Sequence, residues 1–156
     1  MGTNHMGRQS IRFPQPPVVR GFASVAGKKE REGPLGDQFT ATVQDTTFGE
    51  KSWERAERRM QQMTLELALE KAGLTDADLD AAFAGDLLNQ CIGSSFSLRN
   101  RGVPTLGLYG ACSTMAESLL LAAMSVSGGY ARTALAMTSS HFASSERQYR
   151  FPLGYG

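Results

Sequence analysis

Two cysteines and two histidines are the main nucleophile and base candidates in this chain of 156 residues, and one cysteine sits where it could be put to use. Cys112 lies within Gly110-Ala111-Cys112-Ser113-Thr114, between the apolar run Leu106, Leu108, Tyr109 and a series of good helix formers from Met115 to Met124. A strand that enters a sharp turn and leaves as a helix places unpaired N–H groups and the positive end of the helix macrodipole beside the thiol. Both favour thiolate over thiol, and both attract anions. Such a turn can support nucleophilic attack by Cys112, or anion binding by Cys112, Ser113 and Thr114. The competing reading is a small buried residue at a tight strand–helix junction.

The flanking elements follow from pattern and punctuation. Pro104 can begin a strand, where its absent N–H costs the ladder nothing, and Gly110 breaks that strand. Ser113 or Thr114 can cap the helix that follows, and Glu117 lies early, where the dipole favours it. That helix carries Leu119, Leu120, Leu121, Ala122, Ala123 and Met124 in succession, so it predicts a central helix covered on all sides. Gly128 and Gly129 stop it. Thr133 to Thr138 predict a further strand, ending in Ser139-Ser140-His141.

Upstream, Val18, Val19, Phe22, Ala23 and Val25 predict a first strand ending near Gly27, and 28–50 a long polar connection. Ser52 predicts the N-cap of an amphipathic helix with Trp53, Ala56, Met60, Met63 and Leu67 inside and Glu54, Arg55, Glu57, Arg58 and Gln61 outside. Gly73 supplies its stop, and Thr75-Asp76-Ala77-Asp78 a capped turn. Leu79 to Ala84 predict a small-residue strand, parallel to the first across the helix and ending at Gly85-Asp86. Residues 87–100 predict a second connecting helix, with Cys91 a packing residue. Asp86 and Asn89, at the end of a parallel strand, lie where open α/β sheets place ligands. Asp86 could equally cap the next helix.

Composition narrows the function. Sixteen basic and fifteen acidic side chains leave a net charge of +1, which argues against nucleic acid as a partner. Two cysteines are too few for a secreted disulfide framework, so a reducing, cytoplasmic compartment is expected, with both thiols free. The most apolar window, around Leu106 to Val126, is interrupted by Glu117 and glycines and is poorly suited to span a membrane. No metal-ligand set and no cofactor motif emerges. Residues 1–16 are expected to be a tag remnant and extended lead-in.

The Gly-Ala-Cys-Ser-Thr turn resembles the nucleophile turn of the thiolase and ketoacyl synthase superfamily. Five further segments narrow the likeness: Glu32-Gly33-Pro34-Leu35-Gly36, Lys51-Ser52-Trp53-Glu54, Ala84-Gly85-Asp86-Leu87-Leu88-Asn89-Gln90, Thr138-Ser139-Ser140-His141, and Glu146-Arg147-Gln148-Tyr149-Arg150-Phe151-Pro152. Together they resemble the stage V sporulation protein AD family of spore-forming bacteria. The resemblance implies an α/β, thiolase-like fold of two similar halves, with residues 17–156 forming the N-terminal half. That half would hold a mixed, mostly parallel sheet and a buried central helix, and the second half would be absent.

For function, the resemblance implies binding of dipicolinic acid (pyridine-2,6-dicarboxylate), as its calcium chelate, and its uptake into the developing spore. It implies other members of a spore membrane transport complex as partners, and peripheral association with the spore inner membrane. The expected pocket is Cys112, Ser113 and Thr114 at the helix start, with Asp86, Asn89, His141 and Arg147 as candidate lining. The alternative is a Cys-dependent acyltransferase of the ketoacyl synthase or thiolase type, with Cys112 as nucleophile. In the superfamily the residues that complete that catalytic site come from the second half, so a Cys–His dyad would depend on His141 and activity is not expected. A half domain with an uncovered central helix is expected to form a homodimer or to aggregate.

Overall fold

The structure is a computed structural model and describes residues 4–145, so the tail from Glu146, Arg147 included, lies outside the described residues. Near the start, β1 (His5–Met6) and β2 (Ser10–Ile11) form a small exposed antiparallel hairpin. The expected first strand shrinks to β3 (Val25–Gly27), because Val18, Val19 and Phe22 lie largely exposed in an extended approach. Gly21 rests on the long helix there, where a Cβ would press on the Ala68 carbonyl and Ala72. The long polar connection is structured. It holds α1 (Lys28–Arg31), a 3-10 turn at Gly36–Gln38, and β4 (Ala41–Val43), which pairs parallel with β3.

The helix α2 (Trp53–Ala72) begins at Ser52, whose hydroxyl accepts from the Arg55 amide, and ends at Gly73 in the left-handed conformation (φ 65°). Leu74 N–H reaches back to Leu69 O, the expected reversed stop. Thr75 and Asp78 close a capping box on the following turn. Next comes β5 (Ala81–Gly85), then a 3-10 turn (Asn89–Cys91) and α3 (Ile92–Leu98), shorter than the helix expected over 87–100. The chain continues through β6 (Thr105–Leu108), a 3-10 turn (Ala111–Ser113), α4 (Thr114–Ser127) and β7 (Ala134–Thr138).

β5 is the centre of a three-stranded parallel sheet in the order β6-β5-β7. The first strand does not join it: β3 pairs with β4 in a separate two-stranded sheet, so the β3–α2–β5 unit expected from sequence is not a hydrogen-bonded pair. Ala82 and Ala84 point to one face of β5, where Leu65 and Leu69 of α2, Leu98, Val103 and Met137 form the core. Gly85 points to the other face, against Thr114 at the start of α4.

The helix α4 departs from the expectation of a covered central helix. It buries Thr114, Ser118 and Ala122, its small residues, and packs chiefly on β5 and β7. Met115, Leu119, Leu120 and Met124 face outward, with Leu119 48% and Leu120 42% exposed. Close approach to the sheet selects the small stripe, and the large side chains are left on the far side. Two parallel sheets and intervening helices make this an α/β fold.

Candidate functional site

The C-terminal ends of β5, β6 and β7 open in the same direction, and their loops carry the chemistry. After β6, Gly110 and the 3-10 turn lead into α4 with Ala111 in the left-handed region (φ 49°), a conformation that costs a residue with a Cβ on the order of 1–2 kcal/mol. The turn is closed by its own side chains. The Ser113 hydroxyl donates to Gly110 O (2.7 Å), and the Gly110 amide donates to Thr114 Oγ1 (3.1 Å). Neither residue therefore caps α4 as expected, and its first amides are not capped by either side chain. Cys112 projects from this turn, exposed.

A cleft of about 1020 Å³ lies beside Cys112. Ala111, Cys112 and Met115 form one wall, and Ser139, Ser140 and His141 after β7 another. Lys28, Lys29 and Glu30 of α1 close a third side, and Phe48, Trp53 and Met60 line the interior. His141 is held by its surroundings. Its Nε2 lies 2.8 Å from Thr46 O, its ring tilts against Trp53 at 5.5 Å between centroids, and Phe48 meets it edge-on. A nitrogen that faces a carbonyl must carry the proton, so Nε2 is the donor and Nδ1 is left unprotonated in the neutral ring. No hydrogen bond joins Cys112 to His141 among the described residues.

Behind the wall lies a buried polar network that α2 carries. Glu57 is fully buried; the hydroxyl of Ser139 donates to its Oε1 (2.7 Å) and that of Ser144 to its Oε2. Gln61 donates from Nε2 to Ser139 Oγ (2.6 Å) and to Ser94 Oγ (3.2 Å), and its Oε1 accepts from the Ser97 hydroxyl (2.6 Å). Ser94 donates its hydroxyl and its amide to Asp86 Oδ2, both at 2.7 Å, and the Leu88 amide donates to Oδ1 (2.9 Å). The Gln61 amide thus links two buried carboxylates through two serine hydroxyls. Burial is the main force pushing the Glu57 carboxyl above its usual range. Its serine donors and His141 oppose the rise, and Asp86 adds to it.

Of the residues singled out in the sequence, the structure brings Cys112 and His141 to one cleft. Asp86 is buried behind it as the anchor of α3, the capping role weighed above. Asn89 is exposed in the 3-10 turn, and Ser113 and Thr114 close the turn on itself. Glu57 and Gln61, expected on the outer face of α2, are wholly buried. Only the polar groups at 94, 97, 139 and 144 make that possible, and nothing local to α2 announces them. Cys91 is buried, as expected of a packing residue. Its thiol donates to Leu108 O (3.1 Å), and burial pushes its pKa up.

Residues 7–156 match the family model described as Stage V sporulation protein AD. The chain belongs to that family. It is also 43% identical over 150 residues to Stage V sporulation protein AD of Bacillus subtilis (strain 168), an alignment that covers 96% of this chain and 44% of that protein. The chain thus spans less than half the length of this relative of the stage V sporulation protein AD family. Among the described residues, no helix is long and apolar enough to cross a membrane.

Proposed function

We propose that the chain carries the ligand-binding cleft of a thiolase-like sporulation protein and that the ligand is dipicolinate, as part of dipicolinate uptake into the spore. The observation that carries this reading is the composition of the cleft: Lys28 and Lys29 face a space also lined by Trp53 and Phe48, beside Cys112. A flat aromatic ring with two carboxylates needs cations and hydrogen-bond donors at its edge and aromatic surface against its face, and the cleft offers both. Association with a spore membrane complex belongs to the same proposal. The acyltransferase reading draws on the exposed Cys112, which shares the cleft with His141. It lacks a thiol–imidazole hydrogen bond, and the Nε2 proton is already committed to Thr46 O.

Calorimetric titration with pyridine-2,6-dicarboxylate, with and without calcium, tests the proposal. Saturable binding is expected, with Lys28→Glu and Lys29→Glu together weakening it about tenfold or more by reversing the charge at the rim. No binding by the parent chain, or undiminished binding by the double variant, would place the site elsewhere. Intact mass after incubation with an acyl thioester separates the second reading, which requires an adduct on Cys112.

A further inference from the structure

The loop that follows β7 carries five residues of the cleft wall, among them Ser139, Ser140 and His141, and two side chains of α2 hold it from behind: Gln61 reaches Ser139 alone, and Glu57 reaches both ends of the loop. Glu57 takes the hydroxyl of Ser139 on one carboxylate oxygen and that of Ser144 on the other, and so brackets His141 between its two attachments. Ser144 also lies within hydrogen-bond distance of the His141 carbonyl (3.1 Å). Glu57 is separated from the cleft by one hydroxyl, that of Ser139, which lines the cleft and donates away from it.

We infer that Glu57 is a positioning residue for the cleft: as a carboxylate it holds the Ser139–Ser144 loop, and with it His141, through two hydroxyls, and its charge sets the affinity of the cleft for an anionic ligand. The second part rests on the proposed function above. Two donors fit a carboxylate, which only accepts. A protonated carboxyl must donate from one oxygen, so one serine has to turn round. An anion bound in front of Ser139 places like charge near Glu57, which is itself buried from water. Binding is then coupled to proton uptake and tightens as the pH falls.

The other groups around Glu57 do not remove this coupling. Gln61, on the same helix, is neutral. Asp86, at the end of β5, is negative and works in the same direction. His141 stands in the loop itself, and Lys28, Lys29 and Glu30 face the cleft from α1. The neighbouring Arg58 is directed to Glu50 (3.8 Å).

Glu57→Gln tests the inference because the amide is isosteric and fixes the donor-plus-acceptor pattern of the protonated acid. The first readout needs no ligand. Trp53 is the only tryptophan and lies against His141, so its emission reports where the loop holds that ring. As the pH is lowered towards the carboxylate range the full chain is expected to show a transition in Trp53 emission, displaced upward from the usual carboxylate pKa, that Glu57→Gln removes. Ser144→Ala takes one donor from the carboxylate and should move the transition to higher pH. The second readout is dipicolinate affinity over the same range. The parent should gain up to about tenfold per pH unit from the proton linked to Glu57, and Glu57→Gln should lose that share of the slope. Trp53 profiles that superimpose in parent, Glu57→Gln and Ser144→Ala, with all three folded by circular dichroism, overturn the positioning role whatever the ligand does. Binding with an unchanged pH slope in Glu57→Gln overturns the charge coupling. A parent that binds no dipicolinate removes the proposed ligand and with it the charge coupling, and the Trp53 profiles then decide the positioning role alone.

Discussion

Replacement of Asp86 by Asn separates a structural carboxylate from a ligand-binding one. Asp86 is 1% exposed and accepts, among the described residues, from the Leu88 amide and from the amide and hydroxyl of Ser94. In Asp86→Asn the side chain can keep its oxygen towards the Ser94 pair only by turning its NH2 to the Leu88 N–H, donor against donor. A stranded buried amide costs about 1–3 kcal/mol, and two bonds that lose their charge assistance weaken by about 1 kcal/mol each. Relief of a buried charge returns part of this, so a net loss of about 2–4 kcal/mol is expected. For a chain of 156 residues, total stability is on the order of 8–20 kcal/mol, so the variant should fold. At roughly 2–4 °C per kcal/mol its Tm should fall by about 4–16 °C. Thermal melts of Asp86→Asn, Ser94→Ala and the double variant measure both the loss and the coupling. An unchanged Tm, or coupling near zero with Ser94→Ala, refutes the anchoring role. A variant that melts like the parent but no longer binds dipicolinate would make Asp86 a ligand residue.

Further outcomes follow from the same structure. The outward Leu119, Leu120, Met115 and Met124 of α4 each retain about half their exposure, so covering them would contribute roughly 3–6 kcal/mol per copy, and the chain should self-associate through this face. Leu120→Lys should shift sedimentation towards monomer, and a parent that stays monomeric at high concentration defeats the expectation. A Cβ at Gly85 would run into the Leu108 carbonyl oxygen and lie 2.5 Å from Thr114 Cγ2, so Gly85→Ala should cost about 1–3 kcal/mol or more in chemical denaturation. Maleimide should label exposed Cys112 well before buried Cys91 in the native chain, with the difference erased in urea. The Asp80 carboxylate accepts from the Arg132 and Thr133 amides, which hold its pKa below the usual value. A depressed folded-state pKa gives stability that is present above about pH 4 and lost as the pH falls through it, so Asp80→Asn should flatten acid denaturation in that window.

Much of the scaffold is legible in the sequence because it rests on local signals. Ser52 and Gly73 bound α2, Gly110 ends β6, and the glycines at 128 and 129 close α4, each through backbone chemistry within a few residues. The polar network is illegible for the opposite reason. Glu57 and Gln61 read as solvent-facing because their type is polar, and the hydroxyls that satisfy them arrive from 33 to 87 residues away. β4 is hidden in a polar stretch because three residues paired to an equally short strand leave too little pattern to see. In α4 the long apolar run predicts burial all round, whereas the sheet accepts only its small residues. Within the site, the Cys112 turn could be recognised from its spacing, but the partnership with Lys28, Lys29 and Trp53 could not.

The distant attachment of Glu57 also bears on how the chain comes off the ribosome. β5 gains its second neighbour only when β7 has been made, and Glu57 finds its hydroxyls 82 and 87 residues after its own synthesis. Until then the growing chain carries an open strand edge and, on the side of α2 that will become interior, a carboxylate without its hydroxyl partners. Completion of the attachments of Glu57 therefore waits for the loop at 139–144. Stalled nascent chains should remain protease-sensitive until that loop has cleared the exit tunnel, and become resistant in one step thereafter.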